Sequence, residues 1–162
     1  MGAAEALTAL GGDPAGFASR LLERWMAEEA DLVLTMSRRQ RREVLEKDPR
    51  GLRRTFTLLE AADLLGSADL RGLALMPLPR RARELGLRLD AARSRRVTTG
   101  SDDVPDPIGR SPAVHADVAA TIASALRPLA DVLFSSVRPQ PAVPVEETVR
   151  DQEPASSGRD VA

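Results

Sequence analysis

The sequence predicts an α/β protein built around a parallel sheet. A short apolar and β-branched run at residues 32–36, LVLTM, is closed abruptly by polar residues, which is typical of a strand covered on both faces. Helical periodicity follows at once, and the same succession of strand, capping residues and helix recurs over residues 54–65. Two such units in sequence favour a parallel α/β sheet over a helical bundle.

The first thirty residues are predicted to contain two helices and a possible strand. Residues 3–10 are rich in Ala and Leu and stop at a Gly-Gly pair, which indicates a short helix. Residues 16–20 could form a strand. A second helix is predicted to end near residue 30, because four apolar residues recur there at helical spacing. They are Leu21, Leu22, Trp25 and Met26. Large apolar side chains are usually buried, so we expect Trp25 to pack in the core.

Both strand-to-helix junctions carry the residues of a capping box. At the first junction, the Ser37 oxygen can accept from the amide of Gln40 while the Gln40 side chain reaches back to the serine amide. At the second junction Thr57 and Glu60 have the same spacing. They predict a helix over residues 60–65.

Two stretches are rich in arginine. Residues 38–42, RRQRR, belong to a helix predicted over residues 38–47. We interpret them as a solvated helix face because Glu43 and Glu46 follow, and a phosphate or nucleic-acid patch is the alternative. Residues 80–96 hold further arginines without one clean apolar face. A partly helical, solvent-facing excursion is therefore predicted for them.

The C-terminal part combines a loop, a long helix and a tail. Residues 101–109, SDDVPDPIG, contain two prolines and three carboxylates and predict a loop. Ser111 and the proline after it can cap an amphipathic helix over about residues 113–134. The remainder is rich in Pro, Val, Glu, Ser and Gly, so we expect residues 136–162 to form a disordered tail behind one domain at residues 1–135.

Composition excludes several classes of function. The chain of 162 residues has no cysteine and one histidine, His115. Disulfides, thiolate nucleophiles and Cys-based metal sites are therefore ruled out, and a zinc site or a Ser/His triad has little to be built from. A net charge of −1 and 2% aromatic residues disfavour nucleic-acid binding. No apolar run approaches the roughly 20 residues of a membrane helix. We expect a cytoplasmic protein that does not bind membranes, with no cofactor and no metal.

Three segments in order resemble the low-molecular-weight protein tyrosine phosphatase family, in particular its actinobacterial-looking members. They are ADLVLTMSRRQRREVL at 30–45, RTFTLLEAADLL at 54–65 and DDVPDPIG at 102–109, before the long C-terminal helix. The similarity runs from about Ala4 to Leu133. It implies a flavodoxin-like three-layer sandwich with a parallel sheet of about four strands. The chain begins inside the family's second helix, so the N-terminal strands and the phosphate loop are missing.

The resemblance implies one catalytic residue, Asp106. In the family, a cysteine in a CxxxxxR loop attacks phosphorus, and an aspartic acid in an Asp-Pro loop protonates the leaving oxygen. Asp106-Pro107 matches that acid position, whereas turn chemistry alone favours a simple turn carboxylate. Ile108 and Gly109 stand where the family often has tyrosines. The nucleophilic cysteine is absent.

Two functions follow as hypotheses. The first is the C-terminal part of a low-molecular-weight phosphatase-like domain, truncated or decayed, and inactive alone because it lacks the nucleophile. Completed by an upstream segment, it would act on a phosphorylated protein or a small phosphomonoester. The second is a non-catalytic scaffold or regulatory protein that binds an acidic partner through the two arginine-rich stretches. Because the missing strand belongs close to residues 32–36, we also expect an unpaired sheet edge.

Overall fold

The computed structural model describes residues 3–98 and 100–134. The helices in this part of the chain are α1 (Ala3–Ala9), α2 (Arg24–Glu29), α3 (Arg38–Lys47), α4 (Leu58–Leu65), α5 (Leu78–Ala92) and α6 (Pro112–Phe134). Two strands, β1 (Val33–Thr35) and β2 (Thr55–Thr57), and three 3₁₀ turns (Pro49–Arg54, Leu73–Leu75, Arg93–Arg95) complete it. The fold is therefore mixed helix and sheet, as the sequence predicts.

The two strands pair in parallel, with Leu34 opposite Phe56. Parallel strands need a crossover, and α3 provides it between β1 and β2. All three residues of β2 are buried, whereas in β1 only Thr35 is. Among the described residues each strand is paired on one side only. Within this part of the chain β1 therefore has an open edge, as expected from the sequence, and its first two residues are only partly buried.

The two capping predictions have different outcomes. Thr57 and Glu60 form a complete capping box, with Thr57 Oγ1 accepting from the Glu60 amide at 3.2 Å and Glu60 Oε2 accepting from the Thr57 amide at 3.3 Å. Ser37 also caps its helix through the Gln40 amide. The Gln40 side chain, however, accepts from the amide of Met36 at 2.9 Å. This bond ties the start of α3 directly to the end of β1.

The segment over residues 80–96 is mostly a regular helix, which corrects the predicted excursion. Helix α5 buries Leu85 and Leu89 completely and packs on α4 and α6. Arg81 lies on the same buried face, and its guanidinium donates to the carbonyls of Ala74, Met76 and Leu133. An arginine that satisfies backbone carbonyls occupies a core-facing position, and counting it as polar hides the apolar stripe of this helix.

The N-terminal predictions are partly wrong. Residues 16–20 are described and contain no strand, and α2 is only six residues long. Trp25 is 49% exposed and donates from Nε1 to Glu23 at 2.9 Å. A helix of under two turns contributes little surface to the core, and Ala27 is its buried residue. Trp25 therefore lies on the surface.

The long C-terminal helix is confirmed. Helix α6 runs through Pro128 and buries Val118, Ala125 and Leu129, and α1 packs against it. The predicted tail at residues 136–162 lies outside the described residues. No helix in the described part of the chain is both long and apolar enough to span a membrane.

Candidate functional site

The loop predicted to carry the acid meets the sheet at the carboxyl end of β1. The amide of Val104 donates to the carbonyl of Met36 at 2.8 Å, directly after the last residue of β1. In parallel α/β sheets, ligands bind outside the carboxyl ends of the strands. The structure therefore brings the Asp-Pro loop to the end of the sheet where a site is expected.

The three carboxylates of this loop have three different surroundings. Asp103 Oδ1 accepts from the backbone amide of Arg38 at 2.7 Å and so caps the first turn of α3. Asp102 is buried. Asp106 is exposed. Sequence reasoning treats the three as one acidic loop. The sequence offers a clue to Asp103 alone, because the unsatisfied amides at the start of α3 favour a nearby acceptor.

Asp106 is fixed by a turn of its own. Its Oδ1 accepts from the amide of Ile108 at 3.0 Å, which is an Asx turn. Gly109 follows with a φ of 73°, a left-handed conformation that glycine adopts without strain. The Ile108 side chain is 81% exposed. The turn engages Oδ1 of Asp106, and within residues 3–98 and 100–134 Oδ2 accepts no hydrogen bond.

A cavity of about 520 Å³ lies between this loop, the start of α3 and the middle of α6. Its polar side contains Ser37, Arg39, Gln40, Glu43 and Asp106, and its apolar side Met36, Val104, Pro105, Pro107, Ile108, Val118 and Ile122. Arg39 Nε donates to Glu43 at 3.0 Å. Since that pair is neutral, Asp106 supplies the net charge of the cavity. An exposed carboxylate beside an apolar wall can exchange a proton with a bound molecule.

A smaller apolar groove of about 240 Å³ adjoins the cavity and shares Pro107, Val118 and Ile122 with it. Leu7 and Leu10, at the end of α1, form its other wall. His115 also lines this groove. The histidine therefore lies on the apolar side of α6.

The two arginine-rich stretches are largely paired within the chain. Each of the following arginines contacts an acidic side chain: Arg38, Arg39, Arg41, Arg83, Arg88, Arg93 and Arg96. The pKa of Arg41 is lowered, mainly because burial disfavours its charged form, and the nearby Glu60 only partly opposes this effect. Some of these pairs lie within one helix and others join separate segments, so the charge of these arginines is mostly compensated internally.

The site contains the carboxylate of Asp106 but no thiol. The whole sequence has no cysteine. Within residues 3–98 and 100–134, no three His, Asp or Glu side chains are grouped so that they could hold a metal ion. Neither protein-family models, nor curated proteins, nor solved structures gave a match to this chain.

Proposed function

We propose that the chain is the C-terminal part of a low-molecular-weight phosphatase-like domain and supplies Asp106 as the general acid of phosphomonoester hydrolysis. One observation carries the proposal. Asp106 is an exposed carboxylate on an Asp-Pro loop that is hydrogen-bonded to the end of β1, and it borders the cavity there. The sequence resemblance supplies the role of that carboxylate, and the cavity supplies room for a substrate beside it.

The chemistry requires such an acid because the leaving oxygen is a poor leaving group. A phenolic oxygen has a pKa of about 10 and a serine oxygen a higher one, so proton donation in the transition state lowers the barrier. Oδ2 of Asp106, the oxygen not engaged in the Asx turn, is the atom that would carry this proton. Its partner oxygen stays engaged with the Ile108 amide, which orients the carboxyl group.

The open edge of β1 supports the second half of the proposal. Val33 and Leu34 are only partly buried, and β1 is paired with β2 alone among the described residues. An exposed strand edge presents unpaired amides and carbonyls that another strand can satisfy. We propose that the strand leading into the phosphate loop pairs here. It would complete a flavodoxin-like three-layer sandwich and bring a cysteine to the cavity.

The proposal is tested by comparing two forms of the protein. Purified residues 1–162 should not hydrolyse 4-nitrophenyl phosphate, because no nucleophile is present to form the covalent intermediate. The second form is a chimera in which residues 1–162 follow an added N-terminal segment. This segment contains the first strand of the family, the CxxxxxR loop, the first helix and the second strand. That segment is taken from the upstream reading frame or from a family member.

The second form should fold cooperatively and hydrolyse the ester, and its Cys→Ser variant should not. Hydrolysis by residues 1–162 alone that depends on Asp106 would overturn the proposal. A stable, cooperatively unfolding chimera with an intact cysteine and no activity would also overturn it.

The alternative, a scaffold that binds an acidic partner, has less support. It needs arginines free to contact that partner, whereas Arg83 pairs with Asp31 at 2.6 Å and Arg93 with Glu60 at 3.0 Å. Exposed charge pairs can still exchange partners. A salt-sensitive complex between residues 1–162 and an acidic peptide would favour this alternative.

A further inference from the structure

We infer that Asp102 is a positioning residue: through Arg38 and Arg96 it fixes the loop that presents Asp106 at the carboxyl end of β1. The inference rests on the proposed function for the importance of Asp106. The contacts that Asp102 makes do not depend on that function. Three features support this role of Asp102: its ion pairs, the segments to which they are anchored, and the stiffness of the loop.

The Asp102 carboxylate is held by two arginines at once. Arg96 donates from Nη1 to Oδ2 at 3.0 Å and from Nη2 to Oδ1, so the pair is bidentate. Arg38 donates to Oδ2 from Nη2 at 2.8 Å and from Nε at 3.3 Å. The Asp102 side chain is only 8% exposed. Planar, bidentate arginine pairs of this kind fix direction as well as distance.

The two arginines belong to different parts of the fold. Arg38 is the first residue of α3, and its backbone amide is capped by Asp103. Arg96 follows the turn after α5, and its Nε also pairs with Asp63 on α4. The loop is therefore joined to three helical segments through one buried carboxylate.

The loop between Asp102 and Asp106 is short and stiff. Only three residues separate the two aspartates, a span of at most about 14 Å when extended. Pro105 and Pro107 flank Asp106, and their rings restrict the backbone on both sides of it. The Val104 amide adds a hydrogen bond to Met36 midway along this span. Asp102 therefore lies close to Asp106 along a stiff backbone and acts together with the Val104 anchor to set the position of Asp106.

Removing the carboxylate leaves two guanidinium groups without their shared partner. The hydrogen bonds from Arg96 and then Arg38 lower the pKa of Asp102 to about 2, so the carboxylate is charged at neutral pH. In an Asp102→Asn variant, the two guanidinium groups repel each other without a negative charge between them. The single amide oxygen can accept only some of the hydrogen bonds that they donate. The loop then loses its ion pairs to Arg38 and Arg96 and keeps the bond from the Arg38 amide to Asp103 as its attachment to α3.

The absence of cysteine allows a direct test on the full chain. Ile108→Cys on the loop and Arg42→Cys on α3 give two exposed sites for nitroxide labels. Double electron–electron resonance spectroscopy then measures the distribution of distances between the two labels. The doubly labelled chain should give one narrow distribution. Adding Asp102→Asn should widen it by roughly twofold or more, as expected of a loop released to sub-millisecond motion.

Two controls separate positioning from general destabilisation. Asp69→Asn removes the acid of an exposed Asp–Arg pair with Arg71, and it should leave the distribution narrow. Arg96→Lys keeps the charge but loses the bidentate geometry, so it should give an intermediate width and tests the inference even if Asp102→Asn fails to fold. Circular dichroism verifies that each variant is folded.

A narrow distribution in a folded Asp102→Asn or Arg96→Lys variant, with only the urea midpoint lowered, would overturn the inference. This readout needs no catalysis. Failure of the chimera to hydrolyse phosphate esters would therefore count against the proposed function and leave the positioning role of Asp102 intact.

Discussion

The guanidinium of Arg93 lies 4.2 Å from the centroid of the Phe56 ring. Phe56 is the central residue of β2 and is fully buried. The same guanidinium donates to Glu60 at 3.0 Å and to the carbonyl of Thr55 at 2.8 Å. One side chain from the turn after α5 thus covers the aromatic residue of the sheet and binds both the start of β2 and the capping box of α4.

Arg93→Lys is predicted to be strongly destabilising even though it conserves the charge. Lysine cannot reproduce the planar fork that stacks on Phe56 and bonds Glu60 and Thr55 together. We expect a loss of roughly 2–4 kcal/mol in the free energy of unfolding, measured by urea denaturation. Arg95→Lys is the control, since Arg95 is exposed and makes a single bond to Ser67. A loss of less than about 0.5 kcal/mol for Arg93→Lys, typical of surface changes, would contradict the stacking role.

The stability of the protein is predicted to fall in acid because of Asp102. Its pKa is lowered to about 2 in the folded state by hydrogen bonds from Arg96 and Arg38, against about 3.9 for an unperturbed aspartate. Between these values the unfolded state binds more protons. The contribution is therefore full above about pH 5 and is lost as pH falls toward 2, by roughly 2 kcal/mol.

Urea midpoints measured from pH 6 down to pH 2.5 test this prediction. In Asp102→Asn, or in Arg96→Lys if the first variant is too unstable, the slope over this range should become shallower. Asp117→Asn serves as the control because Asp117 is an exposed aspartate on α6. An unchanged slope in the Asp102 variant would assign the acid sensitivity to other carboxylates.

Gly86→Ala is predicted to be tolerated while Gly86→Leu is not. Gly86 is buried where α5 crosses the turn before β2, and a methyl group there would lie 3.5 Å from the Arg53 carbonyl oxygen. That distance is an ordinary contact, so the gain in helix propensity should stabilise the protein by up to about 1 kcal/mol. Leucine would force the elements apart, at a cost of about 1–3 kcal/mol. Thermal unfolding of both variants measures the difference, and equal effects would contradict this packing.

Trp25 is predicted to behave as a surface residue. It is the only tryptophan in the chain, so intrinsic fluorescence reports on it alone. Because it is 49% exposed, its emission should be red-shifted and readily quenched by acrylamide. Trp25→Ala should change the free energy of unfolding by less than about 0.5 kcal/mol. Blue-shifted emission that acrylamide does not quench would instead favour the core position expected from the sequence.

Local patterns predict the elements of this fold well. The Thr57–Glu60 capping box and the long amphipathic α6 follow from spacing alone, because both depend on neighbours three or four residues apart. The parallel pairing follows from the repeated succession of strand and helix. The number of strands does not follow, since it depends on which segments meet in space.

The errors come from side chains whose partners are distant in sequence. Arg81 occupies a core-facing position because its donors meet backbone carbonyls, one of them 52 residues away. Trp25 is exposed because α2 is too short to bury it. Asp102 and Asp103 look equivalent to Asp106 in the sequence. The positions of Arg38 and Arg96 in the fold distinguish Asp102 and Asp103, which contact them, from Asp106, which does not.

The central claim is that Asp106 donates a proton to the leaving group. The most direct test is to measure kcat/KM, which reports the step in which the leaving group departs, for Asp106→Asn in the active chimera with two substrates of different leaving-group pKa. Asp117→Asn on α6 is the control. The account predicts a loss of about 100-fold or more with phenyl phosphate, whose leaving group needs the proton, and a much smaller loss with 4-nitrophenyl phosphate. Equal losses with both substrates, or no loss with phenyl phosphate, would contradict it.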